Sequence, residues 1–117
     1  MKVRTDFVTN SSSSSFIIVS KIDNCQKLID YMKEEYGKYG VRLLNEQLTK
    51  GVADEYGELA GHYVPGEVID ELEPDSFYLV AEYITYTNDG DTNGDDAWLN
   101  DHIPDEYKTE IYQSDPD

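Results

Sequence analysis

The chain has 117 residues, with 25 Asp and Glu against nine Lys and Arg and a formal net charge of −16. That is the length of one domain, able to bury about two-thirds of its unfolded surface. Ten Tyr, three Phe and one Trp supply bulk that a disordered chain would lack. No apolar run approaches the roughly 18 residues of a membrane span, and no secretory leader can be read at the start. The single cysteine, Cys25, excludes an intramolecular disulfide and a cysteine-rich zinc site. These features together predict a cytoplasmic protein.

In chain order, Met1–Ser15 is expected to be a serine-rich arm, because the hydroxyls of Ser11–Ser15 compete for nearby backbone groups. The apolar run Phe16–Ser20 predicts a buried strand. Asp23 or Asn24 can cap a helix over about 24–37, where Cys25, Leu28, Ile29, Met32 and Tyr36 recur at helical spacing and Gly37 and Gly40 supply stop signals. Val41–Leu48 suits a short helix or a strand, and Lys50–Gly61 suits a loop or a frayed helical turn. Pro65 opens a second helix over 65–73, with Val68, Ile69 and Leu72 on one face, ended by Glu73-Pro74.

Phe77–Thr87 is the longest strand candidate, rich in aromatic and β-branched residues and apolar on both faces at its start. A polar loop follows over 88–96, then a short helix at Trp98–Asn100 or Asp105–Tyr112, and a polar tail at 113–117. The expected architecture is a single α/β (α+β) domain over 16–112. It is a small two-layer fold in which a short sheet, with strands near 16–20 and 77–87, packs on helices near 24–37 and 65–73.

The phosphate-binding, nucleophile-elbow, zinc-protease and dinucleotide signatures are all missing, so enzymatic activity is not expected. Cys25 reads as a core thiol rather than a nucleophile. Glu55, Glu58 and His62 would share a helix face as metal ligands do, but Gly57 and Gly61 interrupt that helix. The loop Asp89-Gly-Asp91-Thr-Asn93-Gly94-Asp95 matches the front half of a calcium loop. In that pattern alternate oxygen ligands converge on one hard cation and glycine makes the sharp turn. Asp89, Asp91, Asn93 and Asp95 are therefore candidate calcium ligands, although Asn100 stands where a bidentate glutamate is needed. The competing reading is a polar connection in which Gly90 and Gly94 supply positive φ.

Charge is the strongest signal. Residues 1–50 hold eight Lys and Arg against six acids, whereas residues 51–117 hold nineteen acids and one base, Lys108. Such an excess repels nucleic acid and anionic membrane. It exceeds the magnitude of about 2–8 that solubility asks of a small domain, although solubility alone stays open as its cause. The candidate contact residues are Asp54, Glu55, Glu58, Glu67, Asp70, Glu71, Glu73 and Asp75, an acidic face on and before the second helix. Tyr31, Tyr36, Tyr39, Tyr56 and Tyr63 are interleaved with acids outside any clear core stripe, as at protein interfaces. Ordinary amphipathic packing would also account for them.

Phe7, Val8, Thr9, Asn10, Ser11 to Ser15, Phe16, Ile17 and Ile18 resemble an N-terminal signature of small uncharacterised proteins of bacteriophages and Gram-positive bacteria. The resemblance covers about an eighth of the chain. It implies a phage or mobile-element origin and no particular activity. In general character the chain is also similar to acidic anti-CRISPR and DNA-mimic inhibitors. The expected partner is then a basic nucleic-acid-binding protein of the host, whose groove the acidic face would fill. The alternatives are a structural or accessory protein and a calcium-binding domain.

Overall fold

A computed structural model describes residues 13–86 and 93–114. Two ten-residue strands form its spine: β1 (Ser13–Ile22) and β5 (Phe77–Tyr86) run antiparallel in unbroken register from Ser13 opposite Tyr86 to Ile22 opposite Phe77. Two shorter strands flank them, β2 (Leu48–Lys50) against the start of β5 and β6 (Lys108–Gln113) against β1. The sheet order is β2-β5-β1-β6. The apolar alternation of Phe77–Tyr86 and the short run after Ser15 thus become the two central strands. Ser13–Ser15, from the expected arm, belong to β1, and Phe7–Ser12 lie outside the described residues.

One face of the sheet carries helices. The helix α1 (Cys25–Gln47) starts after Asn24, whose left-handed φ of 54° suits asparagine better than most residues, and breaks at Gly37 with φ 67° and ψ −155°. Gly37 is thus the stop expected at 37, but the helix resumes after this one residue and runs to Gln47, ten residues beyond. Leu43 and Leu44 of the second segment join Leu28 and Met32 of the first in one core with Ile22, Leu79, Leu99 and Ile103. Helix α3 (Asp95–His102) closes this core. Trp98 stacks on His102 with ring centroids 4.2 Å apart and meets Tyr36 edge-on at 5.0 Å, fastening α3 to α1 beside the break. The alternative helix at Asp105–Tyr112 is not formed. Those residues make a 3-10 turn (Asp105–Tyr107) and then β6.

The opposite face is covered by a thinner layer. A hairpin of β3 (Glu58–Leu59) and β4 (His62–Tyr63) lies beside the single-turn helix α2 (Gly66–Ile69), much shorter than the 65–73 expected. Its turn residues Ala60 and Gly61 both have positive φ, 54° and 83°, as a type I′ turn requires. Leu59, Val64 and Leu72 plug this layer into the sheet against Ile17, Val19, Tyr78 and Val80. The fold is therefore α+β, an antiparallel sheet with helices packed on it. Among the described residues, no helix is long and apolar enough to cross a membrane.

Candidate functional site

The segment from Gly51 to Ser76 forms the thin layer, and its sequence holds eight carboxylates and no lysine or arginine. All eight are the predicted contact residues, so the fold gathers them over one face of the sheet. Seven of them, Asp54, Glu55, Glu58, Glu67, Asp70, Glu71 and Asp75, make no ion pair with any described residue. Val68 and Ile69 turn toward the sheet core while Glu67, Asp70 and Glu71 stay exposed, which is the division expected of this segment.

Asp54 and Glu73 are tied into the architecture. The Asp54 carboxylate accepts the backbone N–H groups of Tyr56 at 2.9 Å and Glu58 at 3.0 Å, which shapes the turn leading into β3. Glu73 accepts from Lys21 Nζ at 2.8 Å and from Ser76 Oγ at 2.9 Å. The Lys21 hydrogen bond, then Ser76, hold the Glu73 carboxyl below its ordinary range, and the same contact raises the Lys21 ammonium. Beneath this loop the fully buried Tyr78 ring accepts the Glu73 N–H on its hydroxyl at 2.8 Å. Gly51 is packed so closely that a Cβ there would lie 2.4 Å from the Glu73 carbonyl oxygen and 2.5 Å from the Tyr78 ring. The layer is short of regular structure, yet it is anchored at defined points.

Aromatic residues divide differently from the acids. Tyr31 and Tyr36 pack against the helical core, as ordinary amphipathic packing expects of them, whereas Tyr39 is half exposed. Tyr56 and Tyr63 are 74% and 69% exposed, and Val52 is 61% exposed, all three within the acidic segment. Tyr63 stands opposite Glu58 in the hairpin, and the Tyr56 N–H is bound by Asp54, so these rings are interleaved with carboxylates. Exposed apolar area and carboxylates without an ion pair to a described residue thus share this segment.

The other candidate sites fare differently. Glu55, Glu58 and His62 do not share a helix; they lie on a turn and on the two strands of the hairpin. Among the described residues no group of three or more potential ligands is placed to hold a metal. In the calcium-like loop, Asp89 and Asp91 lie outside the described residues. Asn93 Oδ1 accepts the Ile84 N–H at 2.7 Å and Asp96 Oδ2 accepts the Glu82 N–H at 3.0 Å. Beyond the reach of three-residue β2, these side chains satisfy the outer edge of β5, a role that edge strands require. Asp95 is exposed in the first turn of α3, where a negative charge suits the helix dipole. Cys25 is half-buried against the helical core, and that desolvation pushes its thiol up.

A polar network on the helical face escapes sequence reading because its members are far apart in the chain. Tyr83 Oη donates to Asp101 Oδ1 at 2.8 Å and accepts from Asn100 Nδ2 at 2.9 Å. Lys108 Nζ donates to the Asn100 carbonyl. Desolvation first, with the Asp101 charge behind it, pushes the Tyr83 phenol up to about 12. The network joins β5, α3 and β6, with Asn100 buried at its centre and Asp101 exposed at its edge. No family model, curated protein or solved structure matches the chain.

Proposed function

We propose that the protein is a non-enzymatic acidic binding protein whose thin layer fills a basic, nucleic-acid-binding groove of a partner protein. The observation that carries this reading is the concentration of eight carboxylates, with exposed Tyr56, Tyr63 and Val52 among them, on one face where, among the described residues, only Lys21 pairs with a carboxylate. Carboxylates that repel one another cost folding stability, and a groove lined by Lys and Arg would remove that cost on binding. The exposed rings supply contact area at low entropy cost, as in protein interfaces.

On this reading the protein competes with nucleic acid by occupying its site, as an anti-CRISPR-like or other anti-defence inhibitor of phage type would. Association would be accelerated by long-range steering and would weaken steeply with salt. The test is capture from a nuclease-treated bacterial lysate, elution in a salt gradient, and competition by DNA or RNA. The expected result is a nucleic-acid-binding protein released at moderate salt and displaced by nucleic acid. The triple variant Glu67→Lys, Asp70→Lys, Glu71→Lys should lose that capture and its salt dependence while keeping its fold. Capture that survives charge reversal unchanged would instead favour an accessory protein whose acidity serves solubility.

A further inference from the structure

Beside the hairpin the sheet leaves a pocket of about 330 Å³, lined by Ile17, His62, Tyr63, Glu82 and Tyr112 with Ser114 at its rim. These residues come from β1, β4, β5 and β6, with Ser114 just beyond β6, so only the folded sheet brings them together. Ser114 fixes the margin, since its Oγ accepts the Ile17 N–H at 2.9 Å and its own N–H reaches the Ile17 carbonyl at 3.0 Å. The register of β1 and β6 breaks between Val19 and Ser20, which leaves Tyr112 opposite Val19 and packed on the same core as Ile17. Strand alternation puts Glu82 on the face shared by Tyr78 and Val80.

Glu82 is the unusual member. It is half-buried, its backbone N–H is taken by Asp96, and its carboxylate has no ion pair or hydrogen bond among the described residues. A carboxylate partly withdrawn from water with no cation beside it carries a desolvation cost. An arriving guanidinium offsets that cost with two parallel charge-assisted hydrogen bonds, and its plane stacks on a tyrosine ring. A compact ammonium forms neither the fork nor the stack as well. The volume sits at the small end of ligand pockets, of about 300–1,000 Å³, which suits one side chain rather than a cofactor.

We infer that this pocket is a socket for an arginine side chain of the partner, with Glu82 holding the guanidinium and Tyr112 and Tyr63 supplying the aromatic wall and lip. The inference rests on the proposed function and gives it a specific anchor: the acidic layer steers and the socket fixes register.

The test is an NMR titration of the full chain with a hexa-arginine peptide and, separately, a hexa-lysine peptide. Wild-type protein should show saturable shift changes at His62, Glu82 and Tyr112, with hexa-arginine binding more tightly than hexa-lysine. Glu82→Gln, which preserves shape and leaves the backbone bond to Asp96, should weaken hexa-arginine about tenfold with an otherwise unchanged spectrum, the loss of one charge-assisted contact. The double variant Glu67→Gln, Glu71→Gln should flatten the salt dependence while the socket residues still shift. Shift changes that spare Glu82 and Tyr112, Glu82→Gln at wild-type affinity, or equal binding of the two peptides would overturn the socket and leave the acidic-layer reading standing. No saturable binding of either peptide would overturn both.

Discussion

The two faces of the sheet are built on opposite principles. Helix α1 on one face holds four cations, Lys27, Lys33, Lys38 and Arg42, against four acids, Asp30, Glu34, Glu35 and Glu46. The formal charges of α1 balance, although α3 beside it adds Asp95, Asp96 and Asp101, and this face draws its stability from a long helix, a second helix and an apolar core. The layer on the other face holds eight acids with no lysine or arginine of its own, on a four-residue helix and a hairpin of two-residue strands. Between α1 and this layer, the unbalanced charge falls on the segment with the least regular structure. Such a layer persists only because few, well-placed anchors resist the repulsion: the Leu59, Val64 and Leu72 plugs, the Tyr78 hydroxyl under Glu73, and the Asp54 turn. The lesson is that the helical face carries the fold, which frees the thin face to carry surface chemistry that stability alone would not choose.

The largest effects should come from deleting core side chains on each face. Leu28 and Leu59 are both fully buried, one against the helices and one under the hairpin. Truncating either to alanine should cost about 2–5 kcal/mol in urea unfolding, since a cavity adds to the lost transfer energy. If the thin layer belongs to the same cooperative unit as the helical face, the two variants will shift the whole transition alike. A Leu59→Ala protein whose global midpoint barely moves, with fast amide exchange only over the hairpin, would show that the two faces unfold separately.

High pH separates the faces from the other side. The Tyr83 phenol is pushed up to about 12 within the helical-face network, against about 10 for tyrosine in the unfolded chain. A group whose folded value is raised contributes stability that is complete below pH 10, and the contribution falls away as pH climbs from 10 through 12. Burial also raises Tyr31 and Tyr107, so the wild-type slope in that window is a sum. Tyr83→Phe isolates one part of it: the variant should start less stable at neutral pH and lose stability less steeply between pH 10 and 12. Parallel curves for the two proteins would mean that the Tyr83 phenol is not the group that the network holds protonated.

The contrast between faces also explains what could be read from sequence. Phe77–Thr87 and the run from Phe16 announced the central strands because their side chains are apolar on both sides at the start, and Tyr78, Leu79, Val80 and Ala81 are buried from both sides. Asn24 and Gly37 marked a helix start and a break. The continuation past Gly37 was hidden because one glycine in a left-handed conformation ends a local pattern without ending the helix, whose second segment is held by Leu43 and Leu44 in tertiary contact. Lys108–Gln113 gave no strand signal because an edge strand with one covered face tolerates Lys, Glu and Gln. The acidic segment was legible as composition, and its gathering onto one face followed. The pocket was not, because Ile17, His62, Glu82 and Tyr112 acquire a common location only through sheet order and the register shift in β6.

The smallest predicted effect probes the hairpin that carries the exposed Tyr63. Ala60 holds a φ of 54° in a turn where Gly61 also has positive φ. Left-handed backbone costs an alanine about 1–2 kcal/mol, and asparagine less, because its short polar side chain bonds locally. Asn-Gly is moreover the favoured pair of a type I′ turn. Ala60→Asn should therefore stabilise the protein, by about 0.5–1 kcal/mol once the relief is shared with the unfolded state. Because the strain lies in the thin layer, the gain should slow amide exchange in β3 and β4 more than in α1. Stiffening the hairpin without touching a carboxylate also holds Tyr63 and His62 beside the pocket, so an arginine peptide should bind the variant at least as tightly as wild type. A stabilised hairpin that binds more weakly would mean that Ala60 keeps the turn strained so that the hairpin can move when the partner arrives.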